Sequence, residues 1–552
     1  MRLRWDVPTW IMASFDRPAA LASMASTTFD VIVIGAGMTG AGVALDAATR
    51  GLSVALIDAG DFAAGTSSKS SKLVHGGLRY LQQREFRLVY ENLRERQRLL
   101  ENAPFLVRPL PFLIPLISSN PLTGRALVRG YSSALRLYDL TGGWRIGQRH
   151  RKISSADAVA HLPTLRAEHL LAGFIYMDAR GDDARVALTL ARTAVDHGVW
   201  AANYLRAIEF SRDEAGRATG VVVRDELGGD TFFIAARSVV NATGVWADEI
   251  FRLTARSDTH QITPAKGVHA SVPRERLPID IAAVLAVPGD RRSIFVVPFE
   301  DGPFTFIGTT DTPYVGELDT PTCTPDDLDY LLRAVNAATT SELTTRDVTA
   351  VWAGLRPLLT PREGEHLSGR TADLSRRHRV SDLGDGVVHV TGGKWTTYRQ
   401  MAEDAVDALT PYLGRVGATR TKKLRLHGYG SWRPTTPLDT HLYQRYGDDA
   451  RVVLELVVQD PSLASAPIVG LDYVMGEFVY GARAEMATSL VDLLTRRTRA
   501  HLIDARATLH AAPEIARAVA PHLGWDEERI GLEVGAYRDL VTEELTSAGL
   551  VL

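Results

Sequence analysis

The hydrophobic pattern opens as strand, helix, strand. Residues 31–34 (VIVI) are a short β-branched apolar run, 41–50 are strong helix formers, and 54–57 (VALI) form a second apolar run ending at Asp58. Further apolar runs recur far downstream. Residues 238–241 lead into Ala242-Thr243-Gly244, 304–307 lead toward Thr309-Thr310-Asp311, and 387–391 lead into Gly392-Gly393. Segments 326–338 and 401–413 read as helices. From about residue 414 the strand-like runs thin out, and helical periodicity takes over in YGARAEMATSLVDLLTRRTR and DARATLHAAPEIARAVAPHL. The pattern predicts an α/β region over 29–413 and a helical C-terminal domain over 414–552. Residues 1–28 have no uninterrupted apolar core, because Asp6, Asp16 and two prolines break it. They are expected to be a disordered extension and not a signal peptide.

The junction between the first strand and helix carries specific chemistry. Gly35-Ala36-Gly37-Met38-Thr39-Gly40 supplies G-x-G-x-x-G between them, and Asp58 follows about 20 residues on. That context is the dinucleotide-binding fingerprint. Gly35 makes the tight turn, Gly37 lets backbone approach a pyrophosphate, and Gly40 lets helix pack on strand. The helix N-terminus offers N–H groups and positive dipole to phosphates, and Asp58 offers an acceptor to a ribose. A hydroxyl- and glycine-rich segment, AGTSSKSSKLVHGG, follows, and two more glycine-rich strand ends lie downstream. Widely spaced strand ends converging on one ligand suit a long cofactor, FAD, better than NAD. There is no second G-x-G-x-x-G for a separate nicotinamide.

Bulk composition narrows the class. A net charge of −3 does not favour nucleic-acid binding, and a single cysteine, Cys323, excludes an intrachain disulfide framework. That cysteine usage suits a cytoplasmic setting. No Cys/His cluster has zinc spacing, so no metal is expected. No run of about 18 apolar residues predicts a membrane-spanning helix.

The motifs GAGMTGAGVALDAATRGLSV, TSSKSSKLVHGGLRYL, DDARV, NATGVWAD, KGVHASV, FIGTTDT, AGLRPL and GGKWTTYR, in this order, resemble the FAD-dependent, quinone-linked glycerol-3-phosphate dehydrogenase family. The match covers roughly residues 29–410 together with the helical domain. The resemblance implies a D-amino-acid-oxidase-like flavoprotein fold of class α/β. In it, a Rossmann-like FAD-binding domain is interleaved with a mixed-sheet substrate domain and followed by an all-α cap. It also implies oxidation of sn-glycerol 3-phosphate to dihydroxyacetone phosphate, with electrons passed through FAD to a membrane quinone. Two departures are visible. About 28 residues precede the first strand, and Asp58 stands where a glutamate is common.

On this resemblance the cofactor contacts are Gly35, Gly37, Met38, Thr39, Gly40, Asp58, Thr66, Ser67, Ser71, Lys72, His75, Gly76, Gly77, Thr243, Gly244, Thr310, Gly393 and Thr396. A phosphate monoester needs fixed cations, for which Arg79, Arg356, Arg376 and Lys394 are candidates, with Tyr80 beside them. Arg356 reads as part of a Gly-Leu-Arg-Pro turn, and Lys394 as a helix N-terminus with hydroxyl caps. His269 is the leading general base, against the ordinary reading of a core histidine. His75 is the alternative base, and the cations could instead stabilise an alkoxide. His269, Arg356 and Lys394 form the expected catalytic set.

A quinone acceptor requires a route to a bilayer. Residues 121–139 place Leu127, Tyr131, Ala134, Leu135 and Tyr138 on one helical face, opposite Arg125, Arg129 and Arg136. That face suits either an interfacial helix or packing on the core. The expected setting is the cytoplasm, peripheral to the inner face of the cell membrane, with a homodimer left open. Arg496-Arg497 reads as a solvated face or an intrachain ion-pair site. Two rivals stay open: an oxidase that reduces oxygen to peroxide, and a non-catalytic flavin-binding module.

Overall fold

The computed structural model describes residues 15–77, 85–118, 121–255, 261–290, 292–360 and 377–552. A parallel core carries the first motif, in the strand order Val387–Gly392, Thr231–Asn241, Thr28–Ile34, Val54–Ile57, Trp200–Ala202. Val31, Ile32 and Val33 are fully buried, which is why the first strand reads as a continuous apolar run. The helix Met38–Thr49 covers one face of this sheet and packs between the helices Asp183–Asp196 and Tyr398–Asp407.

The second sheet is mixed and mostly antiparallel. Its long strands Val107–Ile117 and Leu170–Gly181 run side by side. Ile262–Pro273 lies between Ala350–Leu359 and Phe304–Gly308. The two sheets alternate along the chain: Leu73–Val74 already belongs to the second, whereas Thr231–Asn241 returns to the first. After Gly392 the described residues are helical, with long helices at Ala505–Leu523 and Glu527–Ser547. The fold is α/β with an interleaved mixed sheet and a helical C-terminal domain, as the pattern implied.

One expectation changes and two open alternatives are decided. Residues 17–26, expected to be disordered, form a helix, Arg17–Ser26. Asp16 caps it by accepting from Ala19 N–H at 3.2 Å. Pro18 sits in the first turn, where its missing N–H costs nothing. Ala20 and Met24 are buried, and Arg17 pairs with Asp225 at 2.6 Å, so the segment is docked. Arg496 and Arg497 do not form a solvated face. Both bind Asp61 at 2.7 Å, beneath the loop that follows Asp58. On the helix Pro121–Leu140, Leu135 and Tyr138 are buried and Tyr131 packs against the same core, so that face belongs to the protein.

Candidate active site

The glycine motif builds a tight cradle. Gly35 takes φ +100°, and a Cβ at Gly40 would lie 1.7 Å from Gly35 O. Helix and strand can meet this closely only with glycine at both positions. Gly37 heads the helix with no side chain of its own, and Met38 N–H is met by Ser67 Oγ at 2.9 Å. Thr39 lies in the first turn. Asp58 accepts from Ala36 N–H at 2.6 Å and from Gly60 N–H at 2.9 Å. Burial raises its pKa to about 6 against the opposing pull of those two N–H groups. Gly244 takes φ +62° beside Gly35, on the neighbouring strand end. Gly393 takes φ +84°, and Thr396 is buried just beyond it. A glycine-headed helix N-terminus beside small-residue strand ends fits the pyrophosphate and ribose of FAD.

The antiparallel sheet supplies the second half of the site. His269 and Arg356 sit on adjacent strands, with His269 opposite Trp352 and Ala265 opposite Arg356. The His269 ring stacks on Trp352 at 4.7 Å and 8°. Its Nε2 bonds Ser71 Oγ at 2.8 Å, and its buried Nδ1 has no hydrogen-bond partner among the described residues. Burial, then Arg356, then Lys72 hold His269 well below the usual histidine range. Two glycines make room for these side chains. A Cβ at Gly308 would lie 2.1 Å from His269 Cδ2, and one at Gly267 would lie 2.4 Å from an Arg356 nitrogen. Arg356 donates to Thr309 Oγ1 at 3.2 Å and Thr310 O at 3.1 Å, and lies 3.5 Å from Asp311. A neutral imidazole beside a fixed guanidinium can take a proton while the cation holds an anion.

Arg356 differs from its expected setting, and several other candidates are engaged within the protein. Arg356 lies inside the strand Ala350–Leu359 and not in a turn, because Pro357 faces Pro264 and the sheet continues past both. The Lys72 ammonium is buried in an ion pair with Asp183 at 2.6 Å and a bond to Ser68 O at 2.8 Å, so its side chain serves the fold. Thr66 donates to Leu355 O, Thr243 donates to Asn241 Oδ1, and Thr310 Oγ1 accepts from Val268 N–H. The first ties the cradle loop to the second sheet, and the other two brace their own strand ends. Lys394 heads a short 3-10 turn, Trp395–Thr397, and Thr397 donates back to the Lys394 carbonyl in place of a hydroxyl cap.

At Gly76 a Cβ would meet Tyr138 Oη at 2.2 Å and Leu93 at 2.3 Å, so internal packing already demands glycine there. Its N–H reaches Asp178 at 3.0 Å. Gly77 takes φ +79° after His75. Arg79, Tyr80 and Arg376 lie outside the described residues. Sequence reasoning missed Trp352, the platform for His269, and Asp183, which fixes Lys72 and accepts from Ser70 N–H at 2.9 Å. The Asp-Asp pair of DDARV was the available signal for the second.

Fold and cradle together define a flavin-dependent oxidoreductase. Residues 30–399 match the family "FAD dependent oxidoreductase", and residues 391–530 match the "C-terminal domain of alpha-glycerophosphate oxidase". Glycerol-3-phosphate dehydrogenase 2 of Mycobacterium tuberculosis (strain ATCC 25618 / H37Rv) is 41% identical over 98% of this chain and 92% of its own. The mitochondrial glycerol-3-phosphate dehydrogenase of Mus musculus is 35% identical over 93% of this chain and 73% of its own. The crystal structure of the glycerol-3-phosphate dehydrogenase from Bacillus halodurans complexed with FAD superposes with a TM-score of 0.77. It is 30% identical and covers 97% of this chain and 99% of that one. The chain belongs to the glycerol-3-phosphate dehydrogenase family of FAD-dependent oxidoreductases. An L-alpha-glycerophosphate oxidase from Mycoplasma pneumoniae, 17% identical with a TM-score of 0.55, shares the fold alone.

Proposed function

We propose that the chain oxidises sn-glycerol 3-phosphate to dihydroxyacetone phosphate and delivers the electrons to a membrane quinone. The observation that carries this reading is that His269 and Arg356 lie on adjacent strands, with His269 bonded to Ser71 of the segment that follows the cradle. FAD, when bound, supplies the two-electron acceptor for the hydrogen on C2. His269 takes the C2 hydroxyl proton as the carbonyl forms. Arg356 and Lys394 hold the phosphate and the developing charge. Ser71 and Trp352 fix the imidazole in position. A bound phosphate dianion offsets the Arg356 charge and so raises the basicity of His269 when substrate arrives.

The cytoplasmic, membrane-peripheral setting is part of the same proposal. Among the described residues no helix is long and apolar enough to cross a membrane. The outward side of Pro121–Leu140 exposes Leu127, Leu137 and Leu140 with Arg125, Arg129 and Arg136, a composition suited to an anionic bilayer surface.

The deciding experiment adds glycerol 3-phosphate anaerobically to the FAD-loaded protein and follows flavin absorbance. Bleaching is expected; a spectrum that does not change would leave a non-catalytic flavin module. Turnover with a quinone analogue should then exceed turnover with oxygen. Rapid peroxide release without quinone would make the protein an oxidase.

A further inference from the structure

A small cavity lies where the second sheet and the N-terminus of the helix Asp183–Asp196 meet the C-terminal domain. Five arginines border it against three carboxylates. Arg185 is answered from behind by Glu485 at 2.7 Å, and Arg445 by Glu477 at 3.1 Å. Arg499 is held by Asp301 and lies 3.3 Å from Asp182. Arg108 and Arg180, at the mouth, share one carboxylate, Glu300, which is close to Arg108 and 3.4 Å from Arg180. Asp301 and Asp182 are taken up by Arg499, so at the mouth two guanidiniums face one carboxylate. Burial holds both arginines below their usual range, and Arg499 pushes both the same way. Arg108 Nε is buried with no hydrogen-bond partner among the described residues. A half-buried guanidinium pair that shares one carboxylate can take a further anion.

Size narrows the ligand. The cavity is small, about 20 Å³. One compact group fits inside, and anything attached to it must lie in the mouth. Guanidinium forks match oxyanions and not apolar groups, and a tetrahedral oxyanion has enough oxygens to engage two forks at once. The site also touches the machinery already described. Gly181 N–H donates to Lys72 O at 3.0 Å, Asp183 holds the Lys72 ammonium, and Ser71 beside it bonds His269.

We propose that this cavity binds a compact tetrahedral oxyanion, either inorganic phosphate or the phosphate group of a monoester seated at its mouth, as a site separate from the one that oxidises substrate. Glu300 occupies part of that position and competes with the anion.

The test is calorimetric titration of the FAD-loaded full chain with inorganic phosphate at fixed ionic strength, in an Arg356→Ala background that disables the substrate pocket. Saturable binding is expected there. Arg108→Gln or Arg180→Gln should weaken it about tenfold, the scale of one charge-assisted hydrogen bond. Glu300→Gln should tighten it. A second titration with glycerol 2-phosphate separates the sources: tighter binding than inorganic phosphate assigns the site to a monoester, and equal or weaker binding to free phosphate. No saturable heat in the Arg356→Ala protein would overturn the proposal, as would binding indifferent to both arginine substitutions. Should those two variants fail to fold, Glu300→Gln decides alone, and unchanged or weaker binding rejects the site.

Discussion

At His269, burial and two nearby cations act in one direction, and each favours the neutral ring. The base form therefore persists below pH 6.5, and protonation disables it only well into the acid range. The acid limb of kcat/KM should lie well below pH 6.5; a limb at or above that value would show that His269 is not the base. Its removal, His269→Ala, should lower kcat by about 10²–10⁴-fold, the usual contribution of a positioned base, while the flavin spectrum stays intact. Arg356 makes a different prediction. Its guanidinium lies over Gly267 and reaches the loop after Gly308, so Arg356→Ala should raise KM far more than it lowers FAD content. Loss of FAD instead would place Arg356 in the fold.

Among the elements, the turn from the first strand into its helix is the least tolerant of change. A Cβ at Gly40 meets backbone at 1.7 Å, which no side-chain rotation relieves. Gly40→Ala should therefore expel FAD and lower Tm together, measured by bound flavin and thermal unfolding. Gly244→Ala meets no protein atom and takes on only the strain of φ +62°, so it should cost about 1 kcal/mol in thermal unfolding. This turn was legible in the sequence because its tightest contact, Gly40 against Gly35, lies within G-x-G-x-x-G itself. The antiparallel strands were less legible. Arg356 reads as a turn residue beside Pro357 until Ile262–Pro273 is known to lie opposite, and a sheet partner that distant leaves no mark on local spacing. Residues 17–26 fail for a related reason: a proline reads as a breaker, yet in a first helical turn it is a starter. Gly76 shows the limit of reading close approach from glycine alone, since its near neighbours are Tyr138 and Leu93.

Across the whole molecule, the helical domain is tied to the cofactor loop through Asp61. Arg497 grips that carboxylate with two nitrogens at 2.7 and 2.8 Å, and Arg496 adds a third contact at 2.7 Å. Burial opposes ionisation, yet Arg497 and Arg496 win and hold Asp61 far below the usual carboxylate range. Its share of stability is present at neutral pH and is lost only as pH falls through that depressed pKa. Asp61→Asn leaves two buried guanidiniums undercompensated and should cost about 3–5 kcal/mol in denaturant unfolding; a change within experimental error would show the pairing to be incidental. The parallel core has a further consequence, in the order of synthesis. The strand Thr28–Ile34 is flanked by Val54–Ile57, made soon after it, and by Thr231–Asn241, made far later. Thr231–Asn241 in turn lies against Val387–Gly392. A nascent chain that stops short of residue 387 holds the glycine turn and the pairing of Thr231–Ala235 with the strand Ala218–Asp225, but leaves Val239–Asn241 without a partner on that side, a short open edge next to the cradle. While it is being made, the flavin site is the last part of the sheet to close, and this is the interval in which the chain most needs shielding from its neighbours.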